Sequence, residues 1–282
     1  MVIGIWVMGL VLAFGAGYIW WSWKPEKWPA TPSLPPFEER NHKKISPSSK
    51  PETFRKRFYP QMEGLPLVAI VIDDLGYQKQ LALDFIDFEA PLTLSFLPQA
   101  PFSKEMVSQA FQKGKETLLH LPMEPNAFPQ NNPGPKALLT SMTDEEIRKI
   151  LEEDLEAFPQ VVGVNNHMGS RFTEDRDKMA LVLRTIKERK LFFFDSRTTP
   201  HSVILPLASQ VGVKAIERDI FLDNSIEEDA IRGQLELLIR LAQKRGFAVA
   251  CGHPYPQTLR AIKEKFPDLK DKVRLVSLSK LL

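Results

Sequence analysis

A chain of 282 residues, 26% charged and 43% hydrophobic, has the composition of a globular protein and the length for one large α/β domain or two small ones, which excludes disorder throughout. Its 37 basic and 35 acidic residues leave a net charge of +2, so there is no broad basic surface to recruit nucleic acid. The single cysteine, Cys251, excludes an intrachain disulfide framework and any zinc site built on a cysteine cluster, so a metal would rest on histidine and carboxylate.

Residues 1–23, MVIGIWVMGLVLAFGAGYIWWSW, carry no charged side chain and are long enough to cross a bilayer as a helix, with Trp20, Trp21 and Trp23 at the interface. A cleaved signal peptide competes with this reading, but there is no basic leader, and Ala13 to Gly17 only loosely approximates a cleavage site, so an uncleaved anchor is favoured. Lys24, Lys27, Arg40, Lys43 and Lys44 follow the span and by the positive-inside rule would keep that side cytoplasmic. Residues 24–65, crowded with Pro, Ser, Lys and Glu and lacking any period, read as a disordered, extended linker.

Beyond the linker the element types alternate. A strand is predicted at 68–72, a helix from about 78, a strand at 92–97, a helix at 103–113 and a strand at 116–121, followed by a Pro/Asn-rich loop at 122–136. Thr143 with three following carboxylates opens a helix that runs to about Ala157. Then come a strand at 161–164, a helix at 174–189, a strand at 191–194, a short helix near 202–211, a strand at 213–216, a helix at 226–245 and a final strand at 247–250. About seven strands with interleaved helices and no internal repeat predict one α/β domain over 66–282, a barrel or a strongly curved parallel sheet.

The stretch VAIVIDDLG, 68–76, runs five apolar residues into two adjacent carboxylates, Asp73 and Asp74, and a glycine. Such a run reads as a strand buried on both faces, and in α/β folds the C-terminal ends of these strands hold ligands and catalysis. The plainer reading makes one Asp a helix cap and the other a solvated group. His120 and Glu124 follow the third strand (HLPMEP), while Asn165, Asn166, His167, Ser170 and Arg171 follow the fourth (NNHMGSRFT). Asp195 and Arg197 follow the fifth (DSRTT), and His253 follows the last (GHPYP). Three of the five histidines thus fall at strand ends; His42 and His201 lie in the linker and at a helix entrance. A lone histidine beside a core is ordinarily just hydrogen-bonded there, but three on one face among carboxylates point to a site.

The chemistry such a set supports is metal-assisted hydrolysis. One Asp and two neutral imidazoles make an open three-ligand site for zinc or a similar divalent ion. A second carboxylate can then take a proton from water, and a histidine on the other side can protonate the leaving group. Without a cation, two adjacent carboxylates would raise one pKa and cost stability. Asp195, Arg197, Arg218 and Asp219 could orient the ligands or equally form a buried ion-pair network. Asp223 and Asn224 read as turn and cap residues, Tyr255 as a sugar-stacking or loop-packing ring, and Cys251 as an inert residue at a strand end.

Over residues 66–282 the ordered motifs IDDLG, HLPMEP, NNHMGSRFT, FDSRTT, ERDIFLDN and GHPYP resemble the divergent polysaccharide deacetylases, a branch of the polysaccharide deacetylase superfamily. The resemblance implies a distorted (β/α) barrel with fewer than eight regular strands. It also implies a hydrolase, dependent on one divalent ion, that removes acetyl groups from N-acetylated sugars, with Asp73 as base, Asp74 on the metal and His253 as acid. The superfamily's usual H-x-x-x-H pair is here His120 followed by Glu124, so the third ligand is either His167, which takes the place of the usual Arg-Pro-Pro-Tyr motif and is favoured, or Glu124 itself. Glu124, Asn166, Ser170, Arg171, Asp195, Arg197 and Tyr255 are expected to bind substrate or support the ligands. A cell-envelope glycan is the implied partner. The implied location is the inner membrane with the domain outside the cytoplasm, the reverse of the linker's charge bias, or secretion if residues 1–23 are cleaved. Two rivals remain open: a catalytically silent glycan-binding or scaffold domain on the same barrel, and a hydrolase of peptide or ester bonds.

Overall fold

The computed structural model describes residues 64–282; the predicted span over 1–23 and nearly all of the predicted linker lie outside the described residues. Among the described residues no helix is long and apolar enough to cross a membrane. Nine strands form one sheet with every pair parallel: β1 Leu67–Leu75, β2 Thr93–Phe96, β3 Glu116–Met123, β4 Gly163–Met168, β5 Phe192–Asp195, β6 Ala215–Glu217, β7 Ile220–Phe221, β8 Phe247–Gly252 and β9 Arg274–Leu275. The helices between them are α1 Lys79–Asp87, α2 Ser103–Gln112, α3 Asp144–Ala157, α4 Arg176–Glu188, α5 Ile204–Val211, α6 Glu228–Arg245 and α7 Pro256–Lys272. A capping box between Thr143 and Glu146 starts α3, satisfying backbone N–H groups that a helix start leaves unpaired.

The strand order β6-β5-β4-β3-β2-β1-β8-β7 makes the two edge strands sequence neighbours, with β9 pairing only the start of β1. Arg218 and Asp219 alone join β6 to β7, and a chain advances at most ~3.3–3.6 Å per residue, so the two edges approach to within roughly 10 Å there. The result is a single α/β domain with its parallel sheet curled into a half-barrel. On either side of the seam the Arg218 N–H donates to the Asp195 carbonyl of β5 and the Asp219 N–H to the Val249 carbonyl of β8.

Period-two alternation divides the core. Val68, Ile70 and Ile72 of β1, with Leu119, Leu121, Val164 and Phe193, pack outward against the helices. Leu67, Ala69 and Val71, with Leu118, Phe192, Phe194, Val249 and Cys251, fill the interior, which Leu278 and Leu281 of the C-terminal 3₁₀ turn close from below. Each fully buried Leu or Phe contributes on the order of 1.5–3 kcal/mol. The interior is therefore apolar through its middle, with Thr93 and Glu116 bonding the C-terminal turn at its base and the polar cluster at the C-terminal ends of the strands.

The architecture departs from the predicted one in four places. Eight strands lie along the sheet path, with β9 added, rather than about seven, because β7 and β9 are two residues long and carry no period. The predicted elements end at 250, whereas α7 follows; its apolar positions Leu259, Ile262, Phe266 and Leu269 have helical spacing, but Pro267 lies inside it. The predicted strand at 161–164 is displaced to β4, which takes in Asn165, Asn166 and His167. Asp73 and Asp74 likewise lie within β1 rather than beyond it, and β3 runs past the predicted end at 121 to Met123.

Candidate metal centre

Successive strand residues face opposite sides of a sheet, so two adjacent carboxylates should part company. Here they do not. Ile72 pairs with Leu94 and Leu75 with Phe96, so three steps of β1 oppose two of β2, and the extra residue forms a bulge. Asp74 takes φ of +56°, the left-handed region that Asp tolerates better than most residues. The bulge brings Asp74 back to the histidines that Asp73 also approaches. At Gly76, φ is +120° and a Cβ would lie 1.9 Å from the Ser103 Oγ, so the turn after the pair admits only glycine.

Asp74 Oδ1 lies 3.0 Å from His120 Nε2 and 2.8 Å from His167 Nδ1, the two imidazoles meeting edge to face. Among the described residues these three form the one group of His and carboxylate ligand atoms that lie within 4.8 Å of one another. Asp74 Oδ1 is buried and yet accepts no well-directed hydrogen bond from either ring. Donor atoms that crowd one another without bonding suit a shared cation: ligands ~2.0–2.1 Å from one zinc ion lie about 3 Å apart. The electrostatics agree. Burial pushes the Asp74 carboxyl up, but His167, His120 and His253 outweigh it and hold the group well below the usual range. Burial lowers the pKa of His120 while Asp73 and Asp74 raise it further, so this point calls for positive charge, which a proton or a divalent ion can supply.

Asp73 is buried beside the cluster, its Oδ1 3.9 Å from His120 Nδ1. Among the described residues it receives hydrogen bonds only from neutral donors: Asn165 Nδ2 at 2.8 Å, Cys251 Sγ at 2.8 Å and Ser196 Oγ at 3.5 Å. Burial and the neighbouring Asp73 push the Cys251 thiol well up, so it stays protonated and can donate. On the opposite side, His253 Nε2 lies 3.8 Å from Asp74 Oδ2, and its Nδ1 lies 2.9 Å from Asp223 Oδ1. The other Asp223 oxygen accepts from the His253 backbone N–H and the Thr258 hydroxyl. Burial lowers the His253 pKa, but Asp223, helped by Asp74 and Asp73, pushes it up to about 10.

The remaining candidates serve the walls. Glu124, the alternative third ligand, is committed elsewhere: one oxygen accepts from the Thr140 N–H and hydroxyl, and the other meets Arg171 at 3.2 Å. Ser170 Oγ accepts from the Asn126 N–H. Asn166 bonds the Met168 carbonyl and the Ser196 N–H, tying the ends of β4 and β5 together. Asp195, its carboxyl pushed up by burial, accepts from Ser202 and the Arg197 N–H, while Arg197 pairs with Glu217 and Arg218 donates to the carbonyls of Ser196 and Arg197. Asp219 pairs with Arg245. Tyr255 is largely buried against His253, a packing position that leaves little of its face for a sugar.

One expectation is corrected: Asp223 is no turn cap, since its carboxylate holds His253. Cys251 is a buried, protonated thiol at a strand end as expected, and it also bonds Asp73. Ser95, Asn165 and Ser196 also join the site. Extending the inward alternation of each strand, 67-69-71 to 73 and 247-249 to 251, would have picked out Cys251, as Leu118 leads to His120. Nothing local marks Asp223.

A family model described as divergent polysaccharide deacetylase matches residues 70–282. The protein YibQ of Escherichia coli K12 is 36% identical over 216 residues, 76% of this chain and 67% of that one. A Haemophilus influenzae Rd protein is 31% identical over 214 residues, 76% of each chain. A crystal structure of a protein from Agrobacterium tumefaciens C58 superposes with a TM-score of 0.75 at 25% identity, covering 81% of this chain and 94% of that one.

Proposed function

The chain belongs to the divergent polysaccharide deacetylase family, and on that premise we propose that it is a divalent-metal-dependent hydrolase removing acetyl groups from an N-acetylated glycan of the cell envelope. The observation that carries this reading is the convergence of Asp74, His120 and His167 around an orphaned carboxylate oxygen, with Asp73 on one side and the Asp223–His253 pair on the other. One carboxylate and two imidazoles fit zinc or a similar ion and leave positions open. Such an ion, when bound, supplies the charge that polarises an acyl carbonyl and makes water easier to deprotonate.

The chain's own groups do the rest. Asp73, held by neutral donors, accepts the proton of the attacking water. His253, kept charged by Asp223, gives its Nε2 proton to the departing amine nitrogen. Glu124 and Arg171 brace the mouth, and residues 1–65 tether the domain to the membrane on its outer side. The test is acetate release from N-acetylglucosamine oligomers by zinc-loaded protein. Asp73→Asn and His253→Ala are expected to keep oligomer affinity and lose turnover by about 10²–10⁴-fold. Oligomer binding without acetate release by the wild type would assign the domain to glycan binding instead.

A further inference from the structure

Resting on the hydrolase reading, we infer that Asn165 is the positioning residue that couples the metal ligand to the base, setting the His120 tautomer and the Asp73 carboxylate with the two ends of one amide. A carboxylate only accepts hydrogen bonds, so the amide nitrogen of Asn165 must face Asp73 Oδ1, 2.8 Å away, and it also reaches Ser196 Oγ. The amide oxygen is thereby turned toward His120 Nδ1 at 3.1 Å and the Ser95 hydroxyl. An amide oxygen only accepts, so Nδ1 carries the hydrogen and donates. That leaves Nε2, the atom 3.0 Å from Asp74 Oδ1, as the nitrogen whose lone pair can meet an ion. Asn165 is completely buried and bonded at both ends, and a flip would set its amide oxygen against the Asp73 carboxylate. One side chain thus fixes where the ion is bound and where the base sits.

The chain of donors makes two substitutions diverge. Asn165→Asp keeps an acceptor for His120 Nδ1 but sets a carboxylate against Asp73 where the amide donated; Asn165→Ala removes both. Zinc affinity of the full-length protein is measured by competition with a chelator, together with the slowly exchanging Nδ1 proton of His120 in NMR spectra of the metal-free protein, and with kcat and KM. Asn165→Ala is expected to lose the Nδ1 signal and bind zinc about 10–100-fold more weakly. Asn165→Asp is expected to keep the signal and the zinc affinity while kcat falls about 10²–10⁴-fold at unchanged KM. Equal weakening of zinc by both variants, or wild-type zinc affinity in both, overturns the inference. The zinc and proton measurements do not depend on turnover, so they decide the matter even if the glycan is not the substrate. Should the alanine variant fail to fold, Asn165→Leu, which keeps the volume and also lacks both the donor and the acceptor, takes its place with the same expected losses.

Discussion

Replacing Asp223 by Asn removes the charge that faces His253 while keeping the volume. The ring is almost fully buried, which by itself pulls its pKa below the ordinary 6.5, and Asp223 is the chief group that lifts it to about 10. A histidine whose pKa is higher folded than unfolded stabilises the fold fully below about pH 6.5 and loses that contribution as pH rises through about 10. At 1.36 kcal/mol per pH unit the interval bounds the effect at about 5 kcal/mol. The direct assay is an NMR titration of His253 in metal-free protein. In Asp223→Asn the ring is expected to titrate near or below 6.5, and the wild type's stability advantage over the variant is expected to be largest in acid and to shrink between pH 6.5 and 10. Turnover of the variant at pH 8 should fall about 10²–10⁴-fold and recover in part at pH 6, where the ring regains its proton. A His253 that still titrates near 10 without Asp223 would refute the reasoning.

Asp154, 2% exposed, has one oxygen bonded by Gln99 and the other without a partner among the described residues, and burial pushes its pKa up to about 6. Because that value lies above the ordinary 3.8, the wild type loses stability as pH rises from about 4 through 6. Asp154→Asn should therefore stabilise by up to about 3 kcal/mol at pH 8 and by almost nothing at pH 3, read by urea denaturation; an equal gain at both would contradict this. Glu124→Ala is expected to keep zinc and His167→Ala to lose it in a chelator competition, since Thr140 and Arg171 already occupy Glu124; the opposite pattern would exchange the two roles. An alkaline phosphatase fused after Leu282 should be active if the domain lies outside the cytoplasmic membrane, and an inactive fusion would place it inside.

Much of this was legible because strand ends in a parallel sheet can be found from apolar runs alone. Val68 to Ile72 announces a buried strand, so the two carboxylates after it had to be at a site. That both could face one pocket was not legible, because it depends on the left-handed turn at Asp74 and a bulge against β2. Asn165 and Asn166 look alike in sequence, yet strand alternation sends the first to the base and the second to the loop after β5. Placing the fourth strand two residues early hides that difference. Asp223 escaped because its partner lies 30 residues on, brought close only by the pairing of β7 with β8. Pro267 masked α7 by breaking the composition expected of a helix interior, although the apolar spacing around it persists.

The central claim is that Asp74, His120 and His167 hold one divalent ion. Elemental analysis of the purified protein after zinc loading and dialysis, alongside Asp74→Asn, tests it most directly. One ion per chain in the wild type and a strong loss in a still-folded Asp74→Asn is the predicted result. No retained ion in the wild type, or undiminished binding by Asp74→Asn, would contradict it.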